Sequence, residues 1–499
     1  MKKLHYLLSL FLFFLLTINV QSADITDSVI KVFATKNPMD YLKPWQSKGI
    51  GQAGGSGCII EGNKIMTNAH VVQDSTFVQV KKNADPKKYT AKIESICYDC
   101  DLAILSVEDK SFFENAKPLD FGQLPNLQDT VTVLGYPTGG DELSITKGVV
   151  SRIEIINYAQ SNRKLLGVQI DAPINPGNSG GPVTSEDKVV GIAMQNLTGS
   201  QNIGYIIPVP VIEHFLSDIK DGTYDGFPLL GIEFQESENK TAKEYYKINE
   251  KQGGVIITKV LPFSPSEGLL KEGDILLEID GTPIAEDGTF VLRSNERLLL
   301  THLINKKQQG ENIKLKIIRN GETVELSAEG KNFSPLVPYP NYSPKPSYYI
   351  FGGLVFSVLT TDLIEAYGSK WWEQAPLDFL SFLIGKDRLN KENKKELVVL
   401  LSVLPDDINA GYHGQNNDII SRINGQSFSS FEEFVKLVDE GKKNSAYTIF
   451  DTENSYKIIL SNKDIDLITQ EITKRNNIPS QYSDDVKTWI SENTSAKTE

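Results

Sequence analysis

The sequence predicts a mainly β protein: a double six-stranded β-barrel followed by two smaller α+β units. Three observations carry that expectation. From about Asp24 to Phe215, short apolar runs alternate with turn residues, a rhythm that fills two six-stranded barrels. Within that span a histidine, an aspartate and a glycine-bounded serine follow one another in that order. Beyond it, a layout of strand, proline, aspartate and Asn/Asp-Gly occurs twice, over Val255–Gly281 and again over Leu397–Gly425. A chain of 499 residues is too long for one core, and 40% hydrophobic residues suffice to fill several.

The first residues are set apart from the fold. Met1-Lys2-Lys3 is a positive start, Leu7 to Leu16 is almost wholly apolar, and Val20-Gln21-Ser22 offers compact residues before a cut. Cleavage near Ser22–Ala23 is expected, with a retained anchor as the competing reading. The apolar run is shorter than the ~20 residues that span a bilayer. Export, to a bacterial periplasm, is the expectation. A net charge of −13 argues against nucleic acid as a partner, because phosphate binding relies on clustered Lys and Arg.

Asn175-Pro176-Gly177-Asn178-Ser179-Gly180-Gly181-Pro182 places a hydroxyl in a turn whose backbone N–H groups converge. An oxyanion formed in acyl transfer needs such preorganised donors, and losing one costs roughly a hundred- to a thousandfold in rate. Gly177 and Ser179 are the natural donors, with Asn178 between them. Serine is a weak nucleophile without a base, and a carboxylate must orient that base. Of five histidines, His5 lies in the leader and His214, His302 and His413 follow the serine, which leaves His70. It ends the apolar run Ile65-Met66-Thr67-Asn68-Ala69-His70. Asp101 opens the buried-strand pattern Asp101-Leu102-Ala103-Ile104-Leu105-Ser106-Val107. Taken singly, His70 is as well read as a packed core histidine and Asp101 as a turn acid. The order His, Asp, Ser is that of the chymotrypsin-type double barrel and of neither other common triad arrangement.

Cys97-Tyr98-Asp99-Cys100 directly precedes that aspartate, with Cys58 left over. Buried thiols, a local bridge and a regulatory switch all remain open; a metal site lacks a second ligand pair at suitable spacing.

These segments resemble the signatures of the HtrA/Deg serine proteases: Thr67-Asn68-Ala69-His70-Val71-Val72, Asp101-Leu102-Ala103-Ile104-Leu105, and Asp171 through Pro182. Gly55-Ser56-Gly57, Leu134-Gly135-Tyr136-Pro137 and Gly204-Tyr205-Ile206-Ile207-Pro208 frame them as in that family. The resemblance implies an ATP-independent endopeptidase of protein quality control, acting on unfolded or damaged protein without metal or cofactor. His70 would be base, Asp101 its orienter and Ser179 nucleophile. It also implies assembly into trimers or larger homo-oligomers, and a sensor loop near 151–166. Ile174, Ala193, Met194 and Gln195, placed by resemblance as the substrate pocket, carry no charge, so cleavage after small or aliphatic residues is expected. The reading from another class is a holdase or peptide-binding scaffold whose protease site rests or is silent.

Over 211–220, Ile212, Phe215, Leu216 and Ile219 recur at helix spacing before Asp221-Gly222 stops the run. His214 on it is a packing or surface residue. The domain expected over 23–221 ends here. The unit at 222–332 resembles a PDZ domain: Leu229-Leu230-Gly231-Ile232 exposes N–H groups for a peptide carboxylate, and the next strand offers an edge for strand addition. Leu230, Gly231 and Ile232 are the candidate peptide-binding residues, with peptide C-termini as partners. Proline-spaced residues 333–346 form an extended tether, and Trp371-Trp372 belong in a core or interface. The second unit, 347–470, is PDZ-like but degenerate: Phe351-Gly352-Gly353-Leu354 stands for the Leu-Gly turn and His413 to Asn417 for Leu270 to Gly273. A tail, 471–499, follows. This layout resembles the longer Deg branch of plants and some bacteria.

Overall fold

The structure is a computed structural model that describes residues 25–495 apart from 115, 139, 197–202, 250–251, 333–334, 339–344 and 385–393. The leader expected over 1–22 and much of the 333–346 tether lie outside the described residues. Six strands, β1 (Val29–Lys36), β2 (Gly51–Ile60), β3 (Lys64–Thr67), β4 (Ser75–Lys82), β5 (Tyr89–Cys97) and β6 (Leu102–Val107), close in the order β1-β2-β3-β6-β5-β4. Six more, β7 (Thr130–Gly135), β8 (Ser144–Asn157), β9 (Lys164–Ile170), β10 (Pro182–Ser185), β11 (Lys188–Asn196) and β12 (Gly204–Pro208), close as β10-β11-β12-β9-β8-β7. The double barrel is therefore present as the sequence predicts. Alternating β-branched residues drive it: Ile30, Val32, Ile65 and Val80 fill the first barrel, and Val131, Val133, Val168 and Ile206 the second, all at most 4% exposed. Each contributes ~1.5–3 kcal/mol on full burial, and closure leaves no free strand edge. Most of the 151–166 segment is strand, with a turn only between Asn157 and Lys164.

The hinge helix runs Val209–Asp218, starting two residues earlier than the periodicity suggests because Pro210 suits a first turn. His214 on it is buried, stacks on Phe227 with ring centroids 4.0 Å apart, and has Nε2 2.7 Å from the Lys307 carbonyl. The sequence reading of it as a packing residue fits this placement.

In the first α+β unit, β13 (Ile232–Gln235), β14 (Val255–Val260), β15 (Ile275–Ile279), β19 (Asn312–Arg319) and β20 (Glu322–Glu329) build a sheet ordered β13-β14-β15-β19-β20, with β16 (Thr282–Pro283) beside β15, and β17 (Thr289–Arg293) and β18 (Glu296–Leu299) form a separate two-stranded hairpin. Among the described residues β13 pairs only with β14, so its outer edge is open. Phe227, Leu230, Ile257, Leu276 and Leu303 share one hydrophobic cluster with the second barrel. Asn305 Nδ2 donates to the Lys164 carbonyl at 2.6 Å, and Arg163 Nη2 to the Phe227 carbonyl at 2.6 Å.

The second unit orders β21 (Tyr348–Phe351), β22 (Leu354–Val358), β23 (Val398–Val403), β24 (Asp418–Ile423), β26 (Tyr447–Thr452) and β27 (Lys457–Ser461), with β25 (Gln426–Ser427) beside β24. Here β22 occupies the place of β13, but β21 already pairs along its outer edge, Tyr349 opposite Phe356. The helix Phe431–Asn444 starts at Ser430, whose hydroxyl accepts from Glu433 N, and sends Phe434 against Phe356 at 4.9 Å between centroids. Trp371 packs on this unit's core, whereas Trp372 is 52% exposed, so the expected burial holds for one of the pair. Tyr41, Leu42 and Trp45, from the β1–β2 loop, pack on the same core. No helix among the described residues is long and apolar enough to cross a membrane.

Candidate active site

His70 sits on one helical turn, Ala69–Val72, directly after β3, and Asp101 on the turn before β6. These strands are neighbours, with Thr67 opposite Ala103, so two residues 31 apart in sequence meet. Asp101 takes a left-handed conformation (φ +55), which aspartate tolerates better than most residues. Asn68 Nδ2 (2.8 Å) and Ala69 N (3.1 Å) fix its carbonyl. The carboxylate is fully buried and both oxygens face His70: Oδ2 is 2.7 Å from ring Nδ1 and Oδ1 accepts from the His70 N–H at 2.9 Å. A buried carboxylate without partners would be costly; this one has its acceptors used on one residue.

Ser179 is held across the barrels. Ser56 N donates to the Ser179 carbonyl (2.8 Å), Gly180 N to the Ala193 carbonyl (2.9 Å), and Ala193 N to the Gly181 carbonyl (2.9 Å). Gly180 (φ +86) is obligatory, since a Cβ there would fall 2.1 Å from the Ser56 carbonyl oxygen. Ser56 Oγ donates to the Gly177 carbonyl (2.7 Å) and accepts from Tyr136 N (2.8 Å). This hydroxyl ties the serine turn to both barrels and was missed as a site residue; its only sequence signal is the small polar residue between Gly55 and Gly57. The Ser179 hydroxyl itself donates to the Met194 carbonyl at 3.1 Å.

The three amides expected to face an oxyanion are not equivalent. Asn178 N–H closes a turn onto the Asn175 carbonyl (3.0 Å), which removes it as a donor and corrects that expectation. The Gly177 and Ser179 N–H groups have no acceptor among the described residues. Ile174, Ala193 and Met194 are buried and uncharged beside this turn, and Gly204 leaves room that a Cβ would take from Ile174, 2.7 Å away. The Gln195 backbone pairs with Tyr205; its side chain lies outside the described residues, as does 197–202.

In the first α+β unit Leu230 is buried and Gly231 (φ +66) packs its Cα face on Ser264, where a Cβ would approach to 2.2 Å. The Leu230 and Gly231 N–H groups have no acceptor among the described residues, and Ile232 pairs with Val260 at the head of the open strand.

Cys97 and Cys100 form a disulfide, both fully buried, so of the three readings the local bridge is the one present. The Tyr224 hydroxyl lies 2.9 Å from Cys97 Sγ, linking the turn before Asp101 to the segment leading into the first α+β unit. Cys58 is free, and burial pushes its thiol up to about 12. Denatured without reductant, the protein should therefore release one thiol in a dithionitrobenzoate assay, and three after reduction, matching its three cysteines. Three without reductant would remove the bridge.

Residues 55–192 match the trypsin-like peptidase domain family, and residues 228–329 and 337–485 each match a PDZ domain family. Barrels, serine turn and these matches define the class: a serine endopeptidase of the trypsin-like type carrying two PDZ domains. Putative protease Do-like 3, mitochondrial, of Arabidopsis thaliana is 39% identical over 465 residues, covering 92% of this chain and 80% of that protein. Protease Do-like 2, chloroplastic, of the same organism is 38% identical over 476 residues, covering 94% and 76%. Among solved structures, the HtrA-type protease AlgW with tripeptide is 23% identical over 62% of this chain and 95% of that one, with a TM-score of 0.49. The chain belongs to the Do-like (HtrA/Deg) serine protease family.

Proposed function

We propose that the protein is an ATP-independent quality-control protease in which Ser179, His70 and Asp101 act as nucleophile, general base and orienting acid. One observation carries this reading: the buried Asp101 carboxylate spends both oxygens on His70, at 2.7 and 2.9 Å, which fixes one ring tautomer and leaves Nε2 to face the substrate side. In this reading Ser179 Oγ leaves the Met194 carbonyl to give its proton to that nitrogen. Oγ attacks the scissile carbonyl as its proton passes to His70, and the resulting oxyanion is met by the Gly177 and Ser179 N–H groups. His70 then returns the proton to the leaving amine, and water repeats the cycle on the acyl-enzyme. No cofactor takes part.

The uncharged pocket walls support cleavage after small or aliphatic residues; a peptide library preferring Lys or Arg there would overturn this. The open β13 edge and the free Leu230 and Gly231 amides support capture of peptide C-termini by the first PDZ domain. Unfolded or damaged proteins are the substrates in this reading, and the working form is a homo-oligomer, a trimer or larger. The relatives' mitochondrial and chloroplastic names support an organelle in preference to the bacterial periplasm expected from the leader, which cell fractionation tests.

A second reading follows from the Ser179 hydroxyl, which bonds to Met194 and not to His70. It supports a resting site that becomes active on reorientation. Digestion of β-casein tests both readings. Wild type is expected to degrade it and Ser179→Ala to leave it intact; equal degradation by the two would refute the triad, while no degradation by wild type favours the resting form.

A further inference from the structure

His70 lies on a helix of a single turn, and such a turn leaves carbonyls without helical partners. Gln73 N takes the Ala69 carbonyl at 2.8 Å, after which Asp74 turns into the left-handed region (φ +57). No backbone amide beyond the helix donates to the His70 carbonyl among the described residues. That carbonyl instead accepts from Lys36 Nζ at 2.7 Å. Lys36 is the last residue of β1 and only partly exposed, its strand position fixed between Gly51 and Ser75. His70 is thereby gripped at three points: its N–H and its ring by Asp101, and its carbonyl by the Lys36 ammonium.

We propose that Lys36 is a positioning residue for the catalytic base: it clamps the backbone that carries the imidazole and places a positive charge behind the His70–Asp101 pair. The proposal rests on the triad reading above. A cation at the end of a helical turn also opposes the partial negative charge of its carbonyls. The Asp101 carboxylate attracts the same ammonium, so the clamp draws on both members of the pair.

The other groups facing this spot are few. Asp74, on the turn after the helix, feels Lys36 and, from the β1–β2 loop, Lys48, and burial raises it above the usual carboxylate range. Burial lowers Lys36 from the ordinary lysine range, with Asp74 and Asp101 opposing that shift. Tyr98, before Asp101, is raised by burial and by Asp74 and Asp362; Tyr158, across from Asp101, is raised further by burial and by that carboxylate. Both tyrosines stay neutral where the enzyme would be assayed. Lys31, the other lysine of β1, is engaged with Asp141 and the Gly140 carbonyl.

The test is steady-state cleavage of fluorescently labelled β-casein, with thermal melts of every variant. Lys36→Met is expected to lower kcat by about three- to tenfold with KM within about twofold. Lys36→Arg, which restores donor and charge, should bring kcat back. Should Lys36→Met fail to fold, Lys36→Gln, uncharged and polar, takes its place. Ser179→Ala runs alongside: casein cleavage by that variant overturns the triad itself. With Ser179→Ala silent, an unchanged kcat in the neutral variant, a loss carried by KM and not by kcat, or a loss in Lys36→Arg equal to that in Lys36→Met, overturns the role of Lys36. A lysine that merely supports the end of β1 would change the melt and leave kcat of the folded protein where it was.

Discussion

Asp101→Asn is expected to lower kcat by about four orders of magnitude while leaving the protein folded. The carboxylate accepts twice from His70, at the ring and at the backbone N–H. An amide of the same shape has one acceptor and one donor. With the oxygen kept on the backbone N–H, the NH2 group faces ring Nδ1 and can only be accommodated if that nitrogen gives up its proton. The proton then sits on Nε2, in the tautomer that cannot accept from a hydroxyl. The alternative flip leaves a buried backbone N–H against an NH2 group, at a cost of about 1–3 kcal/mol, and disturbs the turn that Asn68 and Ala69 hold. Stability should fall by that order and no more, because the side-chain volume is unchanged. The measurements are casein turnover and a melting curve; activity within tenfold of wild type in a folded Asp101→Asn protein would end the assignment of Asp101 as orienter.

The parts of this site legible in the sequence are those whose meaning is carried by adjacent residues. His70 and Asp101 each sit at the mouth of an apolar strand, and antiparallel pairing of β3 with β6 does the rest. The serine turn was legible for the same reason, since Gly177 and Gly180 occupy left-handed conformations that other residues adopt with strain. What was not legible depends on geometry between segments far apart. Residue types do not reveal that the Asn178 amide is consumed by Asn175, that the Ser179 hydroxyl points to Met194, or that Ser56 joins the barrels. Lys36 was invisible on the same grounds, because its partner is a backbone carbonyl 34 positions later and carbonyls leave no trace in sequence. The C-x-x-C spacing alone did not show whether the two cysteines are bridged, as they are in the fold.

The two PDZ units show how a single added strand changes what a fold can do. Both keep a short strand after a glycine turn, β13 and β22, at the edge where a peptide would add. In the first unit that edge is unpaired among the described residues; in the second, Tyr348–Phe351 lies along it, and Ile350 N in turn donates to the Gln481 carbonyl at 2.9 Å. Strand addition needs free N–H and C=O groups, so the second unit's edge is closed by its own chain. All four residues of this strand, Tyr348 to Phe351, are buried.

Gly177→Ala should reduce kcat by a factor of about a hundred to a thousand, with KM little altered. Gly177 has φ +99, and an added Cβ would stand 2.5 Å from the Tyr136 carbonyl oxygen, 2.7 Å from Thr138 N and 3.0 Å from the Pro137 carbonyl carbon. All three are backbone atoms, fixed in turn by Thr138 N donating to the Pro176 carbonyl at 2.7 Å and by Tyr136 N bound to Ser56 Oγ. The neighbour cannot yield as a flexible side chain would, so the Gly177 peptide itself must move. Its N–H has no acceptor among the described residues, and displacing it takes a donor from the developing oxyanion without touching the Michaelis complex. Ser179, His70 and Asp101 keep their positions, because Ser56 N and the Ala193 pairings hold the serine from its other side. A fluorophosphonate probe separates this from a general loss of structure, since its adduct with Ser179 also places an oxygen on the two amides. Labelling should slow in parallel with kcat. A Gly177→Ala protein with normal labelling and normal turnover would mean that the oxyanion is met elsewhere in the turn, and a protein that labels normally but turns over slowly would move the defect to a step after acylation.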